Sequence, residues 1–213
     1  MTKARDLASS TPVPSTVSTT ELGYVDGVTS AIQTQINSKL STSAAGLILI
    51  NTTSFSGAAS VNVNDVFTST YNAYRVLINI TGVANNDSNI VWRFRKAGTN
   101  NAVSYYYQWA GSSANASFIP SSNNATDAIV NIMDSASNNN FYATSLDIFG
   151  PQTNTRTVVT GSMMGITQGG QSFGAAGGFW HDVADQFDGF SFFCNGAGTP
   201  QITGTVRTYA YNQ

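Results

Sequence analysis

The stretch Ile90-Val91-Trp92-Arg93-Phe94-Arg95-Lys96 alternates aromatic and charged side chains from Trp92 onwards. A period of two marks a strand with one face in a core and the other towards water. It turns Trp92 and Phe94 inward and Arg93 and Arg95 outward. The same period recurs, less cleanly, where Val76, Ile78 and Ile80 alternate with Arg75, Leu77 and Asn79. Working outward, Leu47-Ile48-Leu49-Ile50 opens a series of such segments. Further strands are expected at Ser60–Val63, Ala73–Thr81, Ile90–Lys96, Val103–Ala110, Asp127–Met133, Phe141–Phe149, Thr155–Met163, Phe173–Trp180, Phe187–Cys194 and Ile202–Tyr211. Asn, Ser and Gly dominate the intervals Gly82–Ser88, Gly98–Asn101, Gly111–Ala116, Ser121–Thr126, Ser135–Asn140 and Gly165–Ser172, and these residues tolerate turn geometry. About ten short strands without βαβ alternation predict a mainly β chain. Residues 44–213 are expected to form an antiparallel β-sandwich head, jelly-roll-like.

Ahead of the head the period changes. Ser18 and Glu21 have the spacing of a capping box, Asp26-Gly27 interrupts the helix, and Thr29-Ser30 can cap a second one. Leu22, Val25, Thr29, Ile32 and Ile36 follow alternating steps of three and four, with Leu40 flanking the seam. A stripe this narrow needs other helices, and Ile at successive a-type and d-type positions favours three of them. Residues 18–43 are therefore expected to be a short helical coiled coil that trimerises the chain. A single amphipathic helix packed on its own domain fits the same stripe. Residues 1–17 contain Ser9-Ser10-Thr11-Pro12-Val13-Pro14-Ser15-Thr16 and are expected to be an extended anchoring arm.

Composition narrows the function. The chain has 213 residues and 22.5 kDa, and Asp, Glu, Lys and Arg together make up 9%. Soluble domains usually carry about 25%. Glu occurs once, at Glu21, so hydroxyls and amides cover a surface that suits a secreted, virion or cell-surface protein better than a cytosolic enzyme. A net charge of −2 offers no long-range attraction to nucleic acid, and none is expected as a partner. With 41% hydrophobic and 11% aromatic residues the chain can build a core and is not expected to be disordered. No apolar run approaches the roughly 20 residues of a membrane-spanning helix, and no membrane insertion is expected. The opening Met1-Thr2-Lys3-Ala4-Arg5-Asp6-Leu7 lacks the apolar core of a secretory signal.

Chemistry-bearing residues are few. One Cys and one His exclude a disulfide framework and a zinc site built mainly from Cys and His. His181 lies in Phe179-Trp180-His181-Asp182, and a Ser–His–Asp arrangement with Asp182 or Asp185 lacks a recognised nucleophile elbow. His181 is read as a surface or interface residue. Polysaccharide cleavage needs paired carboxylates in a groove, and with no Glu after residue 21 this activity is rejected. Asp182, Asp185 and Asp188 could supply part of a calcium shell, but their order does not match an EF-hand, and they are read as solvated loop acids. Cys194 lies in the apolar run from Phe190 and is read as a small buried hydrophobe. No enzyme activity, metal or cofactor is expected.

Aromatic residues give the stronger signal. Tyr105-Tyr106-Tyr107-Gln108-Trp109 puts rings on both faces of one strand, so one set should lie outside the core. Tyr105, Tyr107 and Trp109 are taken as candidate contacts, either for a receptor sugar or for a neighbouring subunit.

The segment running from Thr20-Glu21-Leu22-Gly23-Tyr24-Val25-Asp26-Gly27 to Gln35-Ile36-Asn37-Ser38-Lys39 resembles one repeated in fibre proteins of tailed bacteriophages, where it forms short helices that trimerise the shaft. Ile50–Gly57, Val63–Phe67 and Tyr71–Arg75 resemble the globular ends of marine and cyanobacterial phage fibres, and Gly204–Tyr211 resembles their last strand. The resemblance implies a homotrimeric virion structural protein on the tail or capsid surface. Residues 1–17 would dock on another virion protein, a tail or baseplate adaptor or the capsid, and the head would bind a host-surface glycan or protein. A single helical repeat implies a short fibre. A capsid head fibre or decoration protein with a structural or adhesive role and no specific receptor fits the same sequence.

Overall fold

The computed structural model describes residues 46–84, 89–113, 116–132, 141–166, 172–196 and 201–212, with positions 18, 20, 24, 32, 34 and 36. The chain divides into two compact units, Met1–Ala44 and Ala45–Gln213.

In the first unit, Thr20, Ile32, Thr34 and Ile36 are helical, and the Tyr24 amide donates to the Thr20 carbonyl at 3.3 Å. Ile32 and Ile36 are exposed. Leu22, Val25, Thr29 and Leu40 of the expected coiled coil lie outside the described residues, as does the arm over 1–17.

Strands are the only regular elements of the second unit among the described residues. In chain order the strands are β1 (Leu47–Ala58), β2 (Ser60–Val63), β3 (Ala73–Ala84), β4 (Asn89–Lys96), β5 (Thr99–Asn100), β6 (Tyr105–Ser113) and β7 (Ala116–Phe118). There follow β8 (Ser121–Ala125), β9 (Ala128–Ile132), β10 (Tyr142–Phe149), β11 (Thr157–Ile166), β12 (Ser172–His181), β13 (Gly189–Cys194) and β14 (Gln201–Tyr211). A nine-stranded sheet runs β1-β14-β3-β10-β11-β12-β6-β7, with β8 also on β6. A five-stranded sheet runs β2-β13-β4-β5, with β9 also on β4. The strand pairs are antiparallel throughout. Chain order alternates between the sheets, since β1, β3, β10 and β14 lie in the larger and β2, β4, β9 and β13 in the smaller.

The alternation in the sequence explains why the sheets face each other. Tyr142, Thr144, Leu146 and Ile148 of β10 are buried, whereas Ala143, Ser145 and Asp147 between them are half-exposed and Phe149 is exposed. Trp92 and Phe94 of the small sheet turn inward as expected. Trp92 stacks on Phe190 at 4.1 Å, and Phe94 on Phe187 at 4.8 Å. Across the gap, Trp92 meets Phe179 at 6.3 Å and Phe192 meets Phe55 at 5.5 Å. Each such pair adds about 0.5–1.5 kcal/mol beyond its burial, so the Trp92–Phe179 and Phe192–Phe55 contacts help to hold the two sheets together.

Three differences from the sequence expectation have physical causes. Ser121–Ala125 and Thr99–Asn100, expected as turns, are strands β8 and β5, and Ala116 opens β7. These short polar edge strands are set by backbone pairing with β6 and β4 rather than by side chains. Arg95 faces away from the core as expected, yet it is buried. Its guanidinium is covered by Asn64 Oδ1 at 2.7 Å, Asn62 Oδ1 at 3.0 Å, Asn100 Oδ1 and the Gly98 carbonyl. The expected strand at Phe187–Cys194 begins at Gly189, because the Phe187 amide donates to the Pro151 carbonyl instead.

Candidate binding surface

Strand β6 is built from Tyr105-Tyr106-Tyr107-Gln108-Trp109, and its pairing with β12 decides which rings are accessible. Tyr105 and Trp109 are fully buried, so neither can touch a receptor or a neighbouring subunit. The Tyr105 hydroxyl accepts from the Phe94 amide at 2.7 Å and donates to the Asn101 carbonyl at 3.0 Å. Burial drives its pKa well above the usual phenol value. The Trp109 indole donates to the Ile129 carbonyl at 2.8 Å. Tyr107 shares their inward face, is half-buried against the core, and has its pKa raised by desolvation. The three expected contacts thus form the inward set of the strand. The opposite set, Tyr106, Gln108 and Ala110, looks out.

Tyr106 is directly opposite Trp180 of β12, and the rings stack at 5.1 Å with planes 9° apart. Trp180 is opposite Val158 of β11, and Val158 is opposite Phe149 of β10. Trp180, Val158 and Phe149 are 41%, 44% and 45% exposed. Four apolar side chains therefore stand in one row across four adjacent strands, on the outer face of the large sheet. An apolar row of this kind facing solvent marks an interaction surface more than a lone exposed Leu would.

The next row on that face is polar. It runs Gln108, Gly178, Thr160, Asp147 and Arg75. Arg75 donates from Nε and Nη2 to the two carboxylate oxygens of Asp147, each at 2.9 Å, and the Tyr211 hydroxyl donates to Asp147 Oδ1 at 2.6 Å. The hydrogen bond to Asp147 raises the Arg75 pKa, and burial with Asp147 beside it raises that of Tyr211.

The residues considered for chemistry are committed elsewhere. His181 is fully buried and not on the surface, because it falls on the inward face of β12 one step after Trp180. Its Nε2 lies 3.1 Å from Asn101 Oδ1 and so donates to it, and the rings of Tyr105 and Phe187 lie within 4.9 and 5.0 Å. Desolvation lowers its pKa, which favours the neutral ring. Gly170-Gln171-Ser172-Phe173-Gly174 does spell Gly-x-Ser-x-Gly. Ser172 nevertheless opens a strand of an antiparallel sheet rather than a strand-to-helix elbow. It also stands nine residues from His181 on the same strand, roughly 30 Å away at about 3.4 Å per residue.

The three acids diverge. Asp182 pairs with Arg156, Asp185 with Lys96 at 2.5 Å, and Asp188 Oδ2 accepts from the Ala97 amide at 2.6 Å. Among the described residues, no group of three or more His, Cys, Asp or Glu is placed to hold a metal. Cys194 is buried, and desolvation pushes its thiol up to about 12, which keeps it protonated. Among the described residues no helix is long and apolar enough to cross a membrane. No known protein family, curated protein or solved structure matches the chain.

Proposed function

We propose that this chain is a homotrimeric fibre of a tailed-bacteriophage virion that binds the host surface through its β head. Residues 1–17 dock on another virion protein and residues 18–43 join three chains, as the phage-fibre resemblance implies. The observation that carries the binding role is the outward row on the large sheet, half-buried Tyr106 beside exposed Trp180, Val158 and Phe149. The exposure of Ile32 and Ile36 in the single chain is consistent with their packing on sister helices. Three heads on one stalk would turn a weak single contact into firm attachment.

The strand order supports the same reading. Read as a jelly roll, β1-β14-β3-β10 faces β2-β13-β4-β9, while β6, β7, β8, β11 and β12 are insertions that widen the larger sheet. That architecture serves viral capsid and lectin domains. Fold analogy alone assigns no function, so the weight stays on the exposed row.

Labelled antibody against the head, applied to intact particles and followed by an adsorption assay, tests the proposal. Tail labelling with blocked adsorption is the expected result. Label scattered over the capsid with normal adsorption overturns host binding and makes the chain a capsid decoration fibre.

A further inference from the structure

The aromatic row is not alone on the outer face of the large sheet. Further along the same strands, Leu77, Asn79, Ala143, Ser145, Ser162 and Met164 border a shallow hollow of about 300 Å³. It exists because Ala143, Ser145 and Ser162 are short, while Leu77 and Met164 stand beside them in register. Val158 and Ser162 are four residues apart on β11, about 13 Å at strand rise. Between the row and the hollow lie Gln108, Thr160 and the Arg75–Asp147 pair.

We infer that this face is a carbohydrate-binding groove for an extended oligosaccharide, with one sugar ring on the Trp180 indole and a later one in the hollow. The inference rests on the host-binding reading above. A pyranose has an apolar C–H face and a rim of hydroxyls. It asks for an aromatic plane, amide and hydroxyl partners beside that plane, and little net charge. Tyr106 stacks on one side of the Trp180 indole, in direct register across β6 and β12 at 5.1 Å, and Val158 of β11 is in register on the other, so Trp180 and Val158 continue one partly exposed apolar strip on which a sugar's C–H face can lie. Gln108 and Thr160 are exposed one row away. Gly178 keeps the floor between them flat. Arg75 and Asp147 neutralise each other while their side chains keep 37% and 21% exposure, so a paired donor and acceptor set is offered to hydroxyls. Arg207, opposite Leu77 on β14, adds one cation at the rim of the hollow.

A second copy of the chain fits this face less well. Its centre is Ala, Ser, Thr and an ion pair, and Ala, Ser and Asp are depleted at the cores of protein interfaces. Covering Arg75 and Asp147 with protein would strip water from both charges, whereas sugar hydroxyls and bridging water keep them solvated.

The test uses the full chain on a printed array of bacterial surface polysaccharides together with cellohexaose, maltohexaose and mannohexaose, followed by tryptophan fluorescence titration with any ligand retained. The expected result is saturable binding that perturbs Trp180 emission. Trp180→Ala and Ser162→Arg, both at exposed positions, should each weaken that binding at least tenfold while leaving the melting midpoint and oligomeric state unchanged. Absence of glycan binding, or binding that neither variant weakens, overturns the assignment. So does dissociation of the oligomer by Trp180→Ala, which would give the face to a second copy. If the glycan assignment fails while head-directed antibody still blocks adsorption, host attachment stands and only this face loses its role.

Discussion

Trp180 and His181 are adjacent in the chain yet stand on opposite faces of β12, the indole 41% exposed and the imidazole with no exposure at all. One peptide bond separates the outer face of the large sheet from the packed interior.

The first prediction uses that contrast. Trp92 and Trp109 are fully buried, so Trp180 is the indole within reach of a dissolved quencher. Acrylamide should quench a distinct fraction of the emission, and Trp180→Phe should abolish that fraction while the blue-shifted remainder persists. Equal quenching before and after the substitution would contradict the inward placement of the other two.

His181 makes stability depend on pH. Its folded pKa lies below the ordinary 6.5 because burial disfavours the imidazolium. The unfolded chain therefore binds more protons below pH 6.5, and stability falls as the pH drops towards the lowered folded value. The slope in that window is at most about 1.4 kcal/mol per pH unit. Asp185, whose pKa is lowered chiefly by its hydrogen bond to Lys96, acts in a separate window below its ordinary 3.8, where its contribution is lost with further acid. Urea midpoints at pH 7.5 and 5.0 should differ for the native chain and draw together in His181→Phe. Undiminished pH dependence in the variant would rule out His181 as its source.

Arg95 is a buried cation held by neutral oxygens of Asn62, Asn64, Asn100 and Gly98. Removing one of them leaves a charged donor short of a partner, which costs about 1–3 kcal/mol. Asn64→Ala should lower stability by that amount in denaturant titration. A change under 0.5 kcal/mol would mean that water replaces the amide without loss.

Gly178 has no room for a side chain. A Cβ there would lie 2.1 Å from the carbonyl oxygen of Val159 on the paired strand. Gly178→Ala should force β11 and β12 apart and cost about 1–3 kcal/mol, as overpacking does. The neighbouring exposed change Ala176→Ser should cost far less, and calorimetric melting of the two variants checks the difference.

Most of the sheet was legible because its strands have one buried face. Tyr142 to Phe149 alternates cleanly, and the expected strand at Phe141–Phe149 differs from β10 by one residue. Ser121-Ser122-Asn123-Asn124-Ala125 reads as a turn, since its strand state comes from pairing with β6 and nothing in its side chains announces that partner. The rings expected to be accessible on β6, Tyr105, Tyr107 and Trp109, have the inward phase. Rings at 105, 106, 107 and 109 occupy both faces, so alternation alone does not say which set is inside. The phase is set by β12, where Phe179 and His181 turn in and leave Trp180 beside Tyr106.

The strand order also constrains how the head is made. β14 lies between β1 and β3, and β13 lies between β2 and β4, so the two latest strands fill central gaps in both sheets. A nascent chain that has not yet emitted residue 201 holds β1 and β3 with facing edges open, and such edges invite pairing with other chains. The order of synthesis is therefore not the order of assembly. Closure waits for the last segments to thread between partners made long before, a high-contact-order step that slows folding.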